Sequence, residues 1–444
     1  MQILSRSAPG RAAAATLRPF ICQSCQKSLR QFSITPTRRR GAAPPPPPPP
    51  PSGYAELTSR RLISIAGPDA PKFLHGIVTQ SVIDEPSTSG SRQRHSASPK
   101  TTTPAASLPG FYGGFLNATG RVLHDVFVYR DTLGIAGDAA AAGEAFMIEV
   151  DAAQVDALAK HLKRYKLRSK LKFRVLDQGE CAAWQVWDDR TPDSASPSAL
   201  QQLLQHQSGD HVVLPDTRAP GMGHRVLSRG SGLSLDLERS NDEAYRVRRY
   251  LRGVAEGQAE IPREHALPLE SNMDVAGAID FRKGCYVGQE LTIRTKHRGI
   301  VRKRILPCLL YPSTSTSSPP PQRLEYNPYI TEDKEGGGEG LSAGDIPPNL
   351  SIGRHGAKGR SAGTWLRGVG NVGLALCRLQ IMTDVELPGE TAAGAPYDPS
   401  SDEFVVKWGA DEEGSGGQSV KVKAFVPDWL RERLSEGGDS ASGH

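Results

Sequence analysis

Apolar residues alternate along LTSRRLISIAG, residues 57–67, which predicts a strand ending at Gly67. PDAPKFLHGIVTQSV follows. Pro68 and Asp69 suit the first turn of a helix, and Phe73, Leu74, Ile77 and Val78 fall on one apolar face at helical spacing. FYGGFLNATGRVLHDVFVYR reads as two strands around a turn at Asn117–Gly120. AFMIEVD is a further strand, and AAQVDALAKHLKRYKLRSKL a helix with cations on its outer side. KLKFRVLD and CAAWQVW add strands, giving an α/β pattern from residue 54 to about 270. From Val301 the pattern changes. RKRILPCLLY, GTWLRGVGNVGLALCRL, EFVVKW and VKVKAFV are short strands between Gly-, Pro- and Ser-rich loops, and this predicts a small β-barrel over 301–430. No internal repeat is visible.

Composition explains why these segments lie far apart. The 444 residues are 37% hydrophobic, low for a compact protein, and include 46 Gly and 35 Pro. This predicts a folded part of two or more domains diluted by inserts, such as the Ser/Thr/Pro stretch at 85–108 and the loops at 312–348, 386–402 and 410–419. Residues 33–53 form a proline-rich linker with an eight-proline run, expected as a stiff extended spacer, and 431–444 form a tail.

The net charge of +6 points at first to nucleic acid. Yet no acid precedes Glu56, while Arg6, Arg11, Arg18, Lys27 and Arg30 do. A leader rich in Arg, Ala and Ser reads as a mitochondrial transit peptide over 1–32, with LRQFS as the processing site. Its removal takes five cations and leaves about +1, so nucleic acid is not expected as a partner. No apolar run reaches the roughly 18 residues of a membrane span. The expected address is the mitochondrial matrix. Cys22 and Cys25, spaced C-x-x-C in the leader, lack a second ligand pair for zinc. Cys181, Cys285, Cys308 and Cys377 are scattered and read as reduced thiols, too dispersed for a stable intrinsic iron–sulfur cluster.

Cys285 stands apart in DFRKGCYVGQELTIRTKHRG, residues 280–299. Cations and helix N-termini favour the thiolate, and Lys283 precedes the thiol while Arg294, Lys296, His297 and Arg298 follow it. Gly284 and Gly288 permit close backbone approach. The segment after the motif reads either way: LTIRT alternates like a strand, while Glu290 and Arg294 would pair on a helix. The bland alternative for Cys285 is a small buried hydrophobe in a tight turn. The basic segment from Lys160 to Arg174 suits a polyglutamyl tail, an acidic partner or a plain solvated face.

KGCYVGQE, residues 283–290, is similar to the signature of the YgfZ family, relatives of the glycine-cleavage T-protein. GPDAPKFLHGIVTQSV, FLNATGRVLHDVFVY, YKLRSKLKF, LPLESNMD and GNVGLALCRL resemble further family segments, so the likeness spans much of the chain. It implies an α+β, T-protein-like ring of α/β subdomains over 54–300 around a central channel, closed by the C-terminal barrel. With a mitochondrial leader it resembles the eukaryotic branch, which assists late 4Fe–4S assembly for aconitase-type and radical-SAM enzymes such as lipoate synthase. A-type scaffold proteins and client apoproteins are the implied partners. Tetrahydrofolate is the implied cofactor, held by Glu270 and Asn272, with Asp125, Tyr286, Gly288, Gln289 and Glu290 as further candidates. Lys283 and Cys285 are the implied reactive pair, Cys285 also serving as a transient cluster ligand, and no resident metal is expected. Where the T-protein carries paired acids, this chain reads GRVLHD: His124 replaces one acid and Asp125 remains. That departure disfavours the alternative, a folate-dependent aminomethyl or one-carbon transferase.

Overall fold

The computed structural model describes residues 44–83, 109–190, 209–230, 232–313, 320–330, 340–356, 360–387, 397–409 and 417–439. The expected leader, its C-x-x-C pair and much of the expected insert loops lie outside these residues. The chain divides into two units, Met1–Pro44 and Pro45–His444, and the strands and helices among the described residues all belong to the second.

Two five-stranded sheets form its first part. One contains β1 (Ser52–Glu56), β7 (Cys181–Asp188), β8 (His211–Pro215), β9 (His224–Arg229) and β10 (Glu238–Ser240), in the order β10-β1-β7-β9-β8. The other contains β2 (Arg60–Ala66), β3 (Gly110–Leu116), β4 (Val122–Arg130), β5 (Ala145–Asp151) and β6 (Lys172–Val175), in the order β3-β4-β5-β2-β6. The hairpin expected around Asn117–Gly120 is β3–β4, with Gly114 opposite Asp125 and Phe115 opposite His124. Helices α1 (Ala70–Ile77) and α2 (Val155–Lys166) cover one face of the second sheet. Phe73, Leu74 and Ile77 of α1 and Val155, Leu158 and Leu162 of α2 join Ile63, Ile65, Val126 and Val128 in one buried cluster, as the 3.6-residue pattern dictates.

Helix α3 (Asp242–Leu251) begins at Asn241, whose side chain accepts a hydrogen bond from the Ala244 N–H. Helix α4 (Gln289–Arg298) settles the segment after the motif as helical. Strands β11 (Lys303–Pro312), β12 (Ser351–Arg354), β13 (Gly363–Val369), β14 (Val372–Arg378), β15 (Phe404–Trp408) and β16 (Gln418–Ala424) close into a barrel, followed by helix α5 (Asp428–Asp439). The α+β class and its C-terminal barrel are as the sequence predicts. β1 begins two residues before the first expected folding signal, and the adjoining proline run is tied down. The Pro50 carbonyl accepts from Trp187 Nε1 at 2.9 Å, and the Pro46 carbonyl accepts from the Tyr326 hydroxyl at 2.6 Å.

The largest core cluster draws on both sheets, α3 and the barrel strands β11 and β14. At its centre sit charges. Arg60 Nε donates to Glu149 Oε1 at 2.9 Å, and the Tyr129 hydroxyl donates to Glu149 Oε2 at 2.6 Å. Arg225 reaches Glu256 at 2.6 Å and Glu149 at 3.4 Å. Arg218 pairs with Glu256 at 2.7 Å and with Asp216 at 2.8 Å, and Arg249 pairs with Glu260 at 2.6 Å. The Arg225 guanidinium also stacks 4.4 Å from the Phe127 ring centre. All these side chains are at least 95% buried. Burial alone would push the Glu256 carboxyl up, but Arg225, Arg218, Arg60 and Arg249 outweigh it and hold it well below the carboxylate range.

Removing one partner from such a lattice strands a charge. Arg225→Met is expected to lower unfolding free energy by about 3–5 kcal/mol. Urea denaturation followed by tryptophan fluorescence checks this, and a loss below about 1 kcal/mol would mean that water already reaches the cluster.

Candidate functional site

The stretch from Gly277 to Gly288 is fastened along the end of α1. The Thr79 hydroxyl donates to the Ala278 carbonyl at 2.6 Å, and the Asp280 N–H donates to the Thr79 carbonyl at 3.0 Å. The Ser81 hydroxyl donates to Asp280 Oδ2 at 2.8 Å, and the Val287 N–H donates to the Gly76 carbonyl at 3.2 Å. The Lys283 ammonium donates to the carbonyls of His75, Val78 and Gln80 at 2.6, 2.8 and 3.1 Å. These include a carbonyl of the last turn of α1 and one just past its end, where the helix dipole favours a cation. The same ammonium lies 4.8 Å from the Tyr286 ring centre. Lys283, expected beside the thiol as its activator, thus caps a helix.

Gly288 closes the stretch. With φ +81° and ψ 7° it takes the third position of a type II turn whose fourth residue is Gln289. A Cβ at Gly288 would lie 2.3 Å from the Asn117 carbonyl oxygen, and one at Gly120 would lie 2.8 Å from Leu291 Cβ. The hairpin turn and the start of α4 therefore interlock through two glycines. Gln289 Oε1 accepts from the Tyr286 N–H at 3.2 Å, which keeps the turn closed. Tyr286 is 6% exposed, its hydroxyl buried without a partner, and burial followed by the charge of Asp280 pushes it up to about 12.

Cys285 stands exposed as a free thiol on this mount. Exposed Arg282 and Glu290 flank it in sequence, and Arg294, Lys296, His297 and Arg298 are exposed along α4. The buried-hydrophobe alternative for Cys285 is excluded. Cys308 and Cys377, by contrast, are buried in the barrel with their sulfurs 3.9 Å apart. Among the described residues no group of three or more His, Cys, Asp or Glu is placed to hold a metal ion.

Glu270 and Asn272 lie at the other end of the same segment. Asn272 is 5% exposed at φ +60°. It donates to the Ile305 carbonyl at 2.7 Å and accepts from Arg304 at 3.1 Å, so it pins the segment to β11. Glu270 is half-buried, 3.7 Å from the Lys303 ammonium, and lines a cleft of about 350 Å³ between α4 and the start of β11. Leu269, Leu291 and Val301 supply apolar wall, and Arg302 and Arg378 supply positive charge. Thr292, 1% exposed, also lines the cleft, and its hydroxyl has no partner. Cys285 is not among the lining residues, and neither is Asp125.

Asp125 and His124 are both 0% exposed. Asp125 accepts from the Gly257 N–H at 3.0 Å and from Gln258 at 3.2 Å, and it lies 3.6 Å from Arg60. Burial raises its carboxyl despite Arg60. The segment after α3 that carries Gly257, Gln258 and Glu256 gave no sequence signal, because isolated acids and glycines there look like a loop. Neither ring nitrogen of His124 meets hydrogen-bond geometry. Burial, then the charges of Arg263 and His161, lower it to about 3, against a weak opposing pull from Gln258. His124 is neutral at physiological pH and sealed from any proton traffic at the surface.

A folded-state value depressed below the unfolded one near 6.5 means that stability is full above pH 6.5 and is lost as pH falls toward 3. His161 and His224 are lowered too and add to the same decline. His124→Leu is expected to make the loss of stability below pH 6.5 shallower by up to one proton, or about 1.4 kcal/mol per pH unit. Denaturation midpoints between pH 7 and 5 test it, and an unchanged slope would show that His124 is charged in the native state.

Residues 302–432 match the family model described as the CAF17 C-terminal beta-barrel domain, which coincides with the closed barrel. The chain is 51% identical over 388 residues to the mitochondrial iron–sulfur cluster assembly factor IBA57 homolog of Pyricularia oryzae, covering 86% of each protein. It is 49% identical to the Chaetomium globosum homolog, covering 88% of this chain and 86% of that one. Identity to the Neurospora crassa homolog is 45%, over 97% of this chain and 94% of that one. Among solved structures, the glycine cleavage system aminomethyltransferase T from Bartonella henselae aligns with a TM-score of 0.49 at 12% identity, over 86% of this chain and 87% of that one. The chain belongs to the IBA57 family of mitochondrial proteins.

Proposed function

We propose that this chain is a matrix iron–sulfur cluster assembly factor that acts late, in maturing 4Fe–4S enzymes of the aconitase and radical-SAM types, with Cys285 as its reactive thiol. The observation that carries the reading is the exposed thiol on a loop fastened to α1, just before a helix whose last turn carries exposed Lys296, His297 and Arg298. Thiolate-bound clusters are anionic, so the cations in the last turn of α4 favour their approach to this side of the protein. Cys285 gives one thiolate to a cluster shared with a partner, the thiol proton leaving to solvent. Cys308 and Cys377 are sealed in the barrel, and among the described residues no group of three or more His, Cys, Asp or Glu is placed to hold a metal ion, so the remaining ligands come from that partner. A-type scaffold proteins fit this role, and the client apoproteins receive the cluster.

The Glu270 cleft supports folate binding as part of the same reading. Its carboxylate accepts from a ring N–H pair, the orphaned Thr292 hydroxyl supplies a further polar contact, and Leu269 and Leu291 suit a flat heterocycle. A reduced folate, when bound, carries one-carbon units. The second reading, a one-carbon transferase, draws on this cleft, but Asp125 and His124 are sealed away and offer it no acid.

Cys285→Ser is expected to abolish rescue of aconitase activity and protein lipoylation in cells lacking the native protein. Because the residue is exposed, its melting temperature should match wild type. Full rescue at normal expression would overturn the thiol role. For the cleft, titration calorimetry with tetrahydrofolate should show binding that weakens at least tenfold in Glu270→Ala. Equal affinity in both proteins would remove Glu270 from the site, and turnover of methylene-tetrahydrofolate would favour the transferase.

A further inference from the structure

We propose that the exposed stripe of α2 and the loop after it dock on a bilayer surface bearing anionic lipid. Between Asp156 and Asp177 the chain holds eight Lys and Arg and no acid. Only Arg174 of these eight has an ion-pair partner among the described residues, Glu180 at 2.7 Å. Lys160, Lys163 and Arg164 are exposed and recur at the spacing of one helix face, opposite buried Val155, Leu158 and Leu162. The stripe ends on Leu167, with Arg168 and Lys170 exposed just beyond it.

Leu167 is the anomaly. It is 87% exposed, whereas the other exposed large aliphatics among the described residues, Ile83 and Ile300, stand at 36% and 39%. It occupies φ +43° at the end of α2, where glycine would relieve strain and cap the helix better. A leucine held there costs backbone strain and gains no packing within the fold. A single aliphatic tip ringed by cations matches the boundary between acyl chains and phosphate headgroups, where Lys and Arg stay at the phosphates and the aliphatic group dips below. An acidic protein partner is the weaker fit, because the apolar contribution is one protruding side chain and not a patch.

The test is co-sedimentation of the full-length protein with vesicles at about 0.15 M salt, where surface charges still act over roughly 8 Å. Binding is expected to vesicles containing a fifth cardiolipin, not to pure phosphatidylcholine, and to fall steeply at higher salt. Lys163→Glu with Arg164→Glu should reduce partitioning at least tenfold and Leu167→Ser several-fold, both with wild-type melting temperatures. The arginine-rich N-terminus is present in every protein, so vesicle binding unaffected by these variants would overturn the proposal. Equal binding to neutral vesicles would do the same. So would binding to soluble polyglutamate with none to vesicles, which would name an acidic polypeptide as the occupant.

Discussion

Arginines and carboxylates buried between the two sheets set the terms for the rest of the fold. Arg60 and Glu149 come from the second sheet, Arg225 from the first, Arg249 from α3, and Glu256 and Glu260 from the segment after it. Ions so far from water are tolerable only when every partner is in place. The cluster therefore joins the sheets, the helix and that segment through ion pairs that each need a partner from another element. The segment then continues the hairpin: the Val122 N–H donates to the Ala266 carbonyl, and the Glu264 N–H donates to the Val122 carbonyl. From there it runs to Glu270, to the pinned Asn272 and to the loop that carries Cys285. Errors at the cluster would propagate directly into the site.

Much of this was legible in the sequence, and the rest was hidden for physical reasons. Period-2 and period-3.6 patterns place α1, α2, the β3–β4 hairpin and the barrel strands other than β12, because each has one apolar face against a core. Strands β8 and β9 and helix α3 escaped. Their inward residues include Arg225, Tyr245 and Arg249, and a buried charge reads like a solvated one until its partner, which is distant in sequence, is known. The cations after Cys285 fit strand or helix equally, and the choice was made by Gly288 and its contact with the hairpin turn. Glu270 and the residues that follow Cys285, from Tyr286 to Glu290, were implied as holders of one cofactor. The structure gives the cleft to Glu270 and open solvent to Cys285, a separation that local spacing does not encode.

The signature KGCYVGQE divides its labour unevenly. Lys283 caps α1, Gly288 and Gln289 close the turn, and Tyr286 is core. Four of its eight residues thus build a mount, and Cys285 is presented on it. In the ligand role proposed for Cys285, a loop whose neighbours are already ordered lowers the entropy lost when the thiol enters a coordination shell. In that proposed role, a freely moving cysteine would meet a cluster as often but hold it less tightly.

Helix α1 ties the thiol's mount to the basic stripe. At its C-terminal end Lys283 and Val287 bind its carbonyls, while at its N-terminal end Asp69 Oδ2 accepts from the Lys170 N–H at 2.6 Å, inside the basic loop. Eight residues of helix span about 12 Å. Both attachments rest on the same covered face of the second sheet, because α1 and α2 share one buried cluster. A surface that engaged Lys163 and Leu167 would hold α2, and through the shared core it would hold α1 and the loop at its far end. The position of the thiol relative to such a surface is then set by packing within one layer and not by any hinge. The signature and the basic segment lie more than a hundred residues apart in sequence, yet both are fastened to one short helix.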